Sequence, residues 1–154
     1  MKKACFPGSF DPFTKGHEDI VRRGLTLFDE VVIAVGHNSS KQSLFDLETR
    51  VKHIQSIFSG EQGVSVESFT GLTIDFCAQH NCTHILRGLR DAKDFHYEQP
   101  IALMNRGMMP IETVFFLPAP ELLAINSTIV REIYKNGGKI DAFVTNTSQL
   151  VNKA

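Results

Sequence analysis

His17 stands where a turn-rich stretch, Pro7-Gly8-Ser9-Phe10-Asp11-Pro12-Phe13-Thr14-Lys15-Gly16-His17, gives way to a helical pattern. A helix start carries unpaired N–H groups and the positive end of the helix dipole, and both attract phosphate. Gly8 and Gly16 let the backbone come close to such a ligand. A histidine there can donate a ring N–H to a phosphate oxygen, or it can simply cap the helix or join the core. A second basic group follows in Arg87-Gly88-Leu89-Arg90-Asp91. Guanidinium forks match phosphate oxygens in pairs, so two arginines around a glycine suit a phosphate clamp, the alternative being two solvated charges. Lys41 lies in the polar run His37 to Ser43, and Ser127 and Thr128 open a late helical pattern where hydroxyls can cap the helix and face an anion. Side chains of these types fit the binding of a phosphate-bearing ligand.

Those groups need a scaffold, and the apolar patterning supplies one. Ala4 to Phe6, Val31 to Val35, Val64 to Glu67, His84 to Leu86 and Thr113 to Leu117 read as five strands. His17 to Phe28, Leu47 to Phe58, Thr73 to His80, Phe95 to Asn105 and Ser127 to Tyr134 read as helices between and after them. Continuous β-branched runs, rather than strict alternation, belong to strands covered on both faces. The expected fold is therefore α/β: a Rossmann-like, doubly wound, parallel five-stranded sheet with helices on both faces. Ligands in such sheets sit beyond the carboxyl ends of the strands, where the polar clusters above fall.

The chain has 154 residues and a net charge of −1, with a sequence pI near 6.6. That length fits a single domain over 1–154, and it buries roughly 70% of the unfolded surface. The charge balance argues against a dedicated nucleic-acid binder, which carries a basic excess. No run approaches the roughly 18 apolar residues of a membrane span, and the apolar start ends too soon, at Pro7, for a signal peptide. Three cysteines, Cys5, Cys77 and Cys82, make no disulfide framework and fit a reducing cytoplasm. Cys77, His80, Cys82 and His84 invite a zinc reading, but their spacing is not a standard ligand pairing, and no metal site is assigned.

The stretch Gly8-Ser9-Phe10-Asp11-Pro12 followed by Thr14-Lys15-Gly16-His17 resembles the T/HxGH signature of the nucleotidyltransferase superfamily. Phe6-Pro7-Gly8-Ser9-Phe10-Asp11-Pro12-Phe13-Thr14-Lys15-Gly16-His17 is similar to the phosphopantetheine adenylyltransferases in particular, where the position of Ser9 is more often threonine. The resemblance runs from Phe6 to about Tyr134. It implies transfer of the adenylyl group of ATP to 4′-phosphopantetheine, giving dephospho-coenzyme A and pyrophosphate. By the same resemblance His17, Lys41 and Arg90 are catalytic. Ser9, Lys41, Thr73 and Arg87 hold the acceptor, with Leu72 near its pantetheine arm, although capping by Thr70 accounts for that segment equally well. The nucleotide falls to Ser9, Phe10, His17, Gly88, Leu89, Arg90, Glu98, Leu123, Ala124, Ile125, Asn126, Ser127, Thr128 and Ile129, with Glu98 at the ribose. Mg2+ comes with the ATP. The family also implies a homohexamer, for which Met104, Met108 and Met109 are candidate contacts.

Two departures stand out. Asn126 replaces the serine of the family's ISSS/T-x-[VI]-R/K motif, and its amide can take over the lost hydroxyl contact. Leu122-Leu123-Ala124 lacks the aromatic often found there. Other acceptors within the class are nicotinamide mononucleotide, or glycerol phosphate with CTP; Arg87-Gly88-Leu89-Arg90 and the short chain favour phosphopantetheine. A non-catalytic nucleotide-binding module is the remaining reading, and His17, Lys41 and Arg90 together argue against it.

Overall fold

The computed structural model describes residues 1–151. Five parallel strands, β1 (Lys3–Gly8), β2 (Glu30–Gly36), β3 (Val64–Phe69), β4 (His84–Gly88) and β5 (Glu112–Phe116), form one sheet in the order β3-β2-β1-β4-β5. Helices α1 (Lys15–Gly24), α2 (Leu47–Ile57), α3 (Thr73–Gln79) and α4 (Ala92–Met108) connect them, and α5 (Ser127–Lys135) follows β5. The doubly wound, Rossmann-like sheet expected from the sequence is the observed one.

Side chains on β2 alternate between two cores, as the period of an extended strand requires. Val31, Ile33 and Val35 join Ile20 and Val21 of α1 and Ile54 of α2. Val32 and Ala34 join Phe76 and Cys77 of α3, together with Cys5, Cys82 and Ile85. Both faces of the strand are dry, which is why its sequence is an unbroken apolar run.

Strand order reverses at β1. Its register with β2 runs from Lys3↔Glu30 to Gly8↔Val35, but its pairing with β4 is confined to Ala4↔His84 and Cys5↔Ile85. Beyond Cys5 the two strands part, and the crevice this leaves is the switch point where such folds take ligands.

Helix ends differ from the sequence reading at several places. α1 begins two residues early because Thr14 caps it, and it stops at Gly24. α4 extends three residues past each expected end, with Asp91 capping its first turn. Thr70 does not cap α3: the N-cap position is Leu72, and no side chain bonds there. The residues after α5, to which the sequence reading gave no element, make a third core in which Ile140, Val144 and Leu150 pack on Phe45 and Val130. This strap reaches α1, since the Lys15 N–H donates to the Phe143 carbonyl at 2.8 Å.

Gly24 gives a test of the packing. A Cβ there would stand 2.8 Å from Cδ2 of Leu86, which is fully buried. Helix propensity alone predicts that Gly24→Ala gains up to about 1 kcal/mol. Overpacking predicts a loss of about 1–3 kcal/mol instead, and urea denaturation should return the loss.

Candidate active site

The loop leaving β1 turns sharply. Phe10 has φ 49°, a left-handed conformation rare for a bulky residue. Several bonds hold it. Arg50 Nη1 donates to the Ser9 carbonyl at 2.6 Å, the Asp11 carboxylate accepts the N–H groups of Leu44 and Phe45 at 2.8 and 2.9 Å, and Arg131 Nη1 donates to the Asp11 carbonyl at 2.9 Å. The turn swings the Phe10 ring back over Gly8, where a Cβ would lie 2.8 Å from it.

His17 closes a capping box with Thr14. The Thr14 N–H donates to Nδ1 of His17 at 3.0 Å. A backbone N–H can only donate, so Nδ1 carries a lone pair and the ring hydrogen sits on Nε2. The half-buried ring is wedged among Phe6, Phe10 and Phe13, at centroid distances of 6.2, 5.1 and 5.3 Å. Burial, and then the charges of Arg87 and Arg90, push its pKa down to about 3. The result is a neutral imidazole with one fixed N–H donor beside two guanidinium groups.

His17 lines a cavity of about 350 Å³ in the crevice between β1 and β4. Ser9, Phe10, Gly88, Arg90, Glu98, Ile125, Asn126, Ser127 and Thr128 line it with His17 and Arg87. Arg90 is steadied by Asp94, with Nε to Oδ2 at 3.1 Å and Nη2 to Oδ1 at 3.3 Å, and its backbone N–H also reaches Oδ2 at 2.9 Å. Burial raises the Asp94 pKa, but its bonds with Arg90 outweigh this and hold the carboxyl below its ordinary value. Arg87 spans the gap between the diverging strands. Its fork meets both oxygens of Glu98, the one buried side chain of α4, and its Nη1 also reaches the Pro7 carbonyl.

Arg87 and Glu98 are also the wall of a second cavity, of about 230 Å³, lined by Thr73, Phe69, Ile101, Ala102 and Asn105. Lys41 lines a third, of about 650 Å³, and does not share a cavity with His17. Ser9, Asp11 and Arg131 border the first and third alike, so the three cavities adjoin along the carboxyl ends of β1 to β4.

Capping of α5 falls to Asn126 rather than to Ser127 or Thr128. Its Oδ1 accepts the N–H groups of Thr128 and Ile129 at 2.8 and 3.4 Å. Ser127 instead donates its hydroxyl to the Pro12 carbonyl at 3.1 Å, and the Thr128 hydroxyl accepts from Arg131 at 3.2 Å. The Asn126 carbonyl is thus committed to the helix, and the amide N–H groups are the end not used by the cap. Leu89, Leu123, Ala124 and Ile129 lie outside the lining of all three cavities. The Leu89 N–H is taken by the Phe116 carbonyl at 2.9 Å, and Ile129 is 56% exposed. Asp11, Asp94, Leu122 and Arg131 line the first cavity without having been picked out as site residues. Arg131 was within reach of sequence reasoning, because it lies three residues after Thr128 on the same helical face. Of the four residues of the zinc reading, Cys77 and Cys82 lie together in the core, His80 stacks on Phe76, and His84 packs on Phe28; among the described residues no group of three or more His, Cys, Asp or Glu is arranged to hold a metal ion.

The His17 geometry fixes a titration. Its ring signals should not shift between pH 5 and 8 in an NMR titration of the free protein, where an ordinary histidine would titrate near 6.5. Because the folded value is depressed, the stability tied to this ring is complete above about 6.5 and is lost progressively as pH falls toward about 3. A midpoint near 6.5 would refute the neutral ring.

The family model for cytidylyltransferase-like proteins matches residues 5–133. A phosphopantetheine adenylyltransferase of Flavobacterium psychrophilum is 49% identical over 144 residues, covering 94% of this chain and 95% of its own. The protein of that name from Bacteroides fragilis is 46% identical, over 94% and 96% of the two chains, and that from Leptospira biflexa 49%, over 87% and 84%. Among solved structures, a bifunctional NMN adenylyltransferase/ADP ribose pyrophosphatase from Francisella tularensis superposes with a TM-score of 0.69 at 18% identity, over 97% of this chain and 46% of that one. A Vibrio parahaemolyticus protein described as a nicotinate-nucleotide adenylyltransferase gives 0.67 at 20%, over 97% of both chains. At such identities these two speak for the fold alone. The chain belongs to the cytidylyltransferase-like family and, within it, to the phosphopantetheine adenylyltransferases.

Proposed function

We propose that this chain transfers the adenylyl group of ATP to 4′-phosphopantetheine, releasing pyrophosphate and forming dephospho-coenzyme A. One observation carries the chemistry: a neutral His17, its Nε2–H fixed by the Thr14 N–H, stands beside Arg87 and Arg90 at the start of α1. The acceptor phosphate attacks the α-phosphorus, and no side chain has to remove a proton. His17 donates to an oxygen on that phosphorus as charge builds, and Arg90, oriented by Asp94, neutralises the polyphosphate. Arg87 stands between the first and second cavities, so it can hold the acceptor phosphate while the pantetheine arm runs past Thr73 and Asn105. Glu98 already accepts from Arg87. A carboxylate has about four acceptor sites, which leaves capacity for a ribose hydroxyl. Lys41 reaches the acceptor from the third cavity, across Ser9 and Asp11.

The carboxylates of the first cavity are engaged, Asp94 by Arg90, Glu98 by Arg87 and Asp11 by two N–H groups. This favours Mg2+ entering on the ATP phosphates, as part of the substrate. Two further readings are proposed with it. The cytoplasmic location rests on three free cysteines in the core. The homohexamer rests on an open apolar face of α4, where Tyr97 is 70%, Met104 68% and Met108 59% exposed.

Pyrophosphate release from ATP plus 4′-phosphopantetheine, with nicotinamide mononucleotide as the control acceptor, tests the activity; release only with the control would reject the assignment. His17→Ala should lower kcat by about 10² to 10⁴ without unfolding the chain. Lys41→Ala and Arg87→Ala should weaken acceptor binding more than ATP binding in calorimetry with each ligand alone, and equal losses would reject that division. Light scattering should give six times the 17.2 kDa chain mass; a monomer at micromolar concentration would count against the assembly.

A further inference from the structure

The loops leaving β1 and β2 meet at the cavity that Lys41 lines, and one buried guanidinium fastens them together. Arg50, on α2, is only 2% exposed. Its Nε donates to the Phe45 carbonyl at 3.0 Å, and its Nη1 donates to the carbonyls of Ser9 at 2.6 Å and Gly36 at 3.2 Å. Ser9 is the first residue beyond β1, Gly36 is the last of β2, and Phe45 ends the loop that carries Lys41. Asp11 ties the same two segments in the opposite sense, by accepting the N–H groups of Leu44 and Phe45. Phe10 lies between Ser9 and Asp11 in its left-handed turn, a conformation that persists only where surrounding contacts over-determine it. Its ring stands edge-on to His17, with centroids 5.1 Å apart. The chain of contact therefore runs from the Lys41 loop through Arg50 to the wall that orients the His17 ring.

We propose that Arg50 is a positioning residue that sets the two phosphate-binding loops in register, so that ATP beside His17 and the acceptor beside Lys41 meet at reacting distance. This rests on the two-substrate reading above. Charge alone does not suffice for the task. The planar fork serves three carbonyls from fixed directions, and the compact ammonium of lysine cannot reproduce that geometry.

The test compares wild type, Arg50→Lys and Arg50→Met in steady-state turnover, with each substrate's affinity measured separately by calorimetry and folding followed by thermal melts. Arg50→Lys should lower kcat by about 30-fold or more, as misplaced reactants do, while each substrate binds alone within about threefold of wild type. Adding Lys41→Ala to Arg50→Met should cost much less than the product of the single losses, because the loop that Lys41 rides on is already displaced. Should neither Arg50 variant fold, Asp11→Asn decides, with the same loss of kcat expected at retained affinities. A folded Arg50→Lys with near-normal kcat overturns the proposal. So do strictly multiplicative losses, or affinities and melting temperature that fall together with kcat. Wild type is the control for the reaction itself: no product from it would reject the assigned activity, whereas normal wild-type turnover with undisturbed variants would reject only the role of Arg50.

Discussion

The parting of β1 from β4 beyond Cys5 is the constraint on which the site depends. Two parallel strands that stay paired leave no room at their ends. Here the chain order reverses at β1, with β2 on one side of it and β4 on the other, and the pairing with β4 stops at Cys5. The opening exposes the carbonyl edge of β1 near Pro7, and Arg87 fills that edge with a guanidinium whose other end is fixed by Glu98 of α4. A half-buried cation with hydrogen-bonded donors is tolerated at a strand edge, and it places a guanidinium in the crevice.

Neutrality of His17 follows from the same crowding. The ring is enclosed by three phenylalanines and faces two arginines, so a second proton would meet both desolvation and like charge. The Thr14 N–H then leaves only one tautomer. Orientation is fixed by a hydrogen bond that also caps the helix, which couples the stability of α1 to the aim of the Nε2–H. The strap after α5 adds support from the other side through the Phe143 carbonyl on Lys15.

Much of this was legible in the sequence. The five apolar runs gave the strands because a doubly covered sheet admits little else, and the alternation of strands with helical patterns implied a parallel sheet. His17, Arg87 and Arg90 could be picked out because their types and their places after strands match phosphate chemistry, and the motif around Gly8 to His17 carried the family. Asn126 drew notice as a departure, and asparagine is a strong N-cap residue, so its place at the head of α5 agrees with its side chain.

What the sequence by itself determined was the set of elements and the kinds of chemistry at their ends, since periodicity and residue type are local properties. Only the tertiary structure decided which groups share a cavity. Lys41 faces a space apart from His17, and Leu89 gives its N–H to the end of β5. It also decided that Arg50, an ordinary helical arginine in the sequence, is buried against three carbonyls from the ends of β1, β2 and the Lys41 loop. Such bonds join residues up to 41 positions apart, and no periodicity or local motif records them. They arise because burial leaves backbone carbonyls that must find a donor, and the fold brings this one within reach.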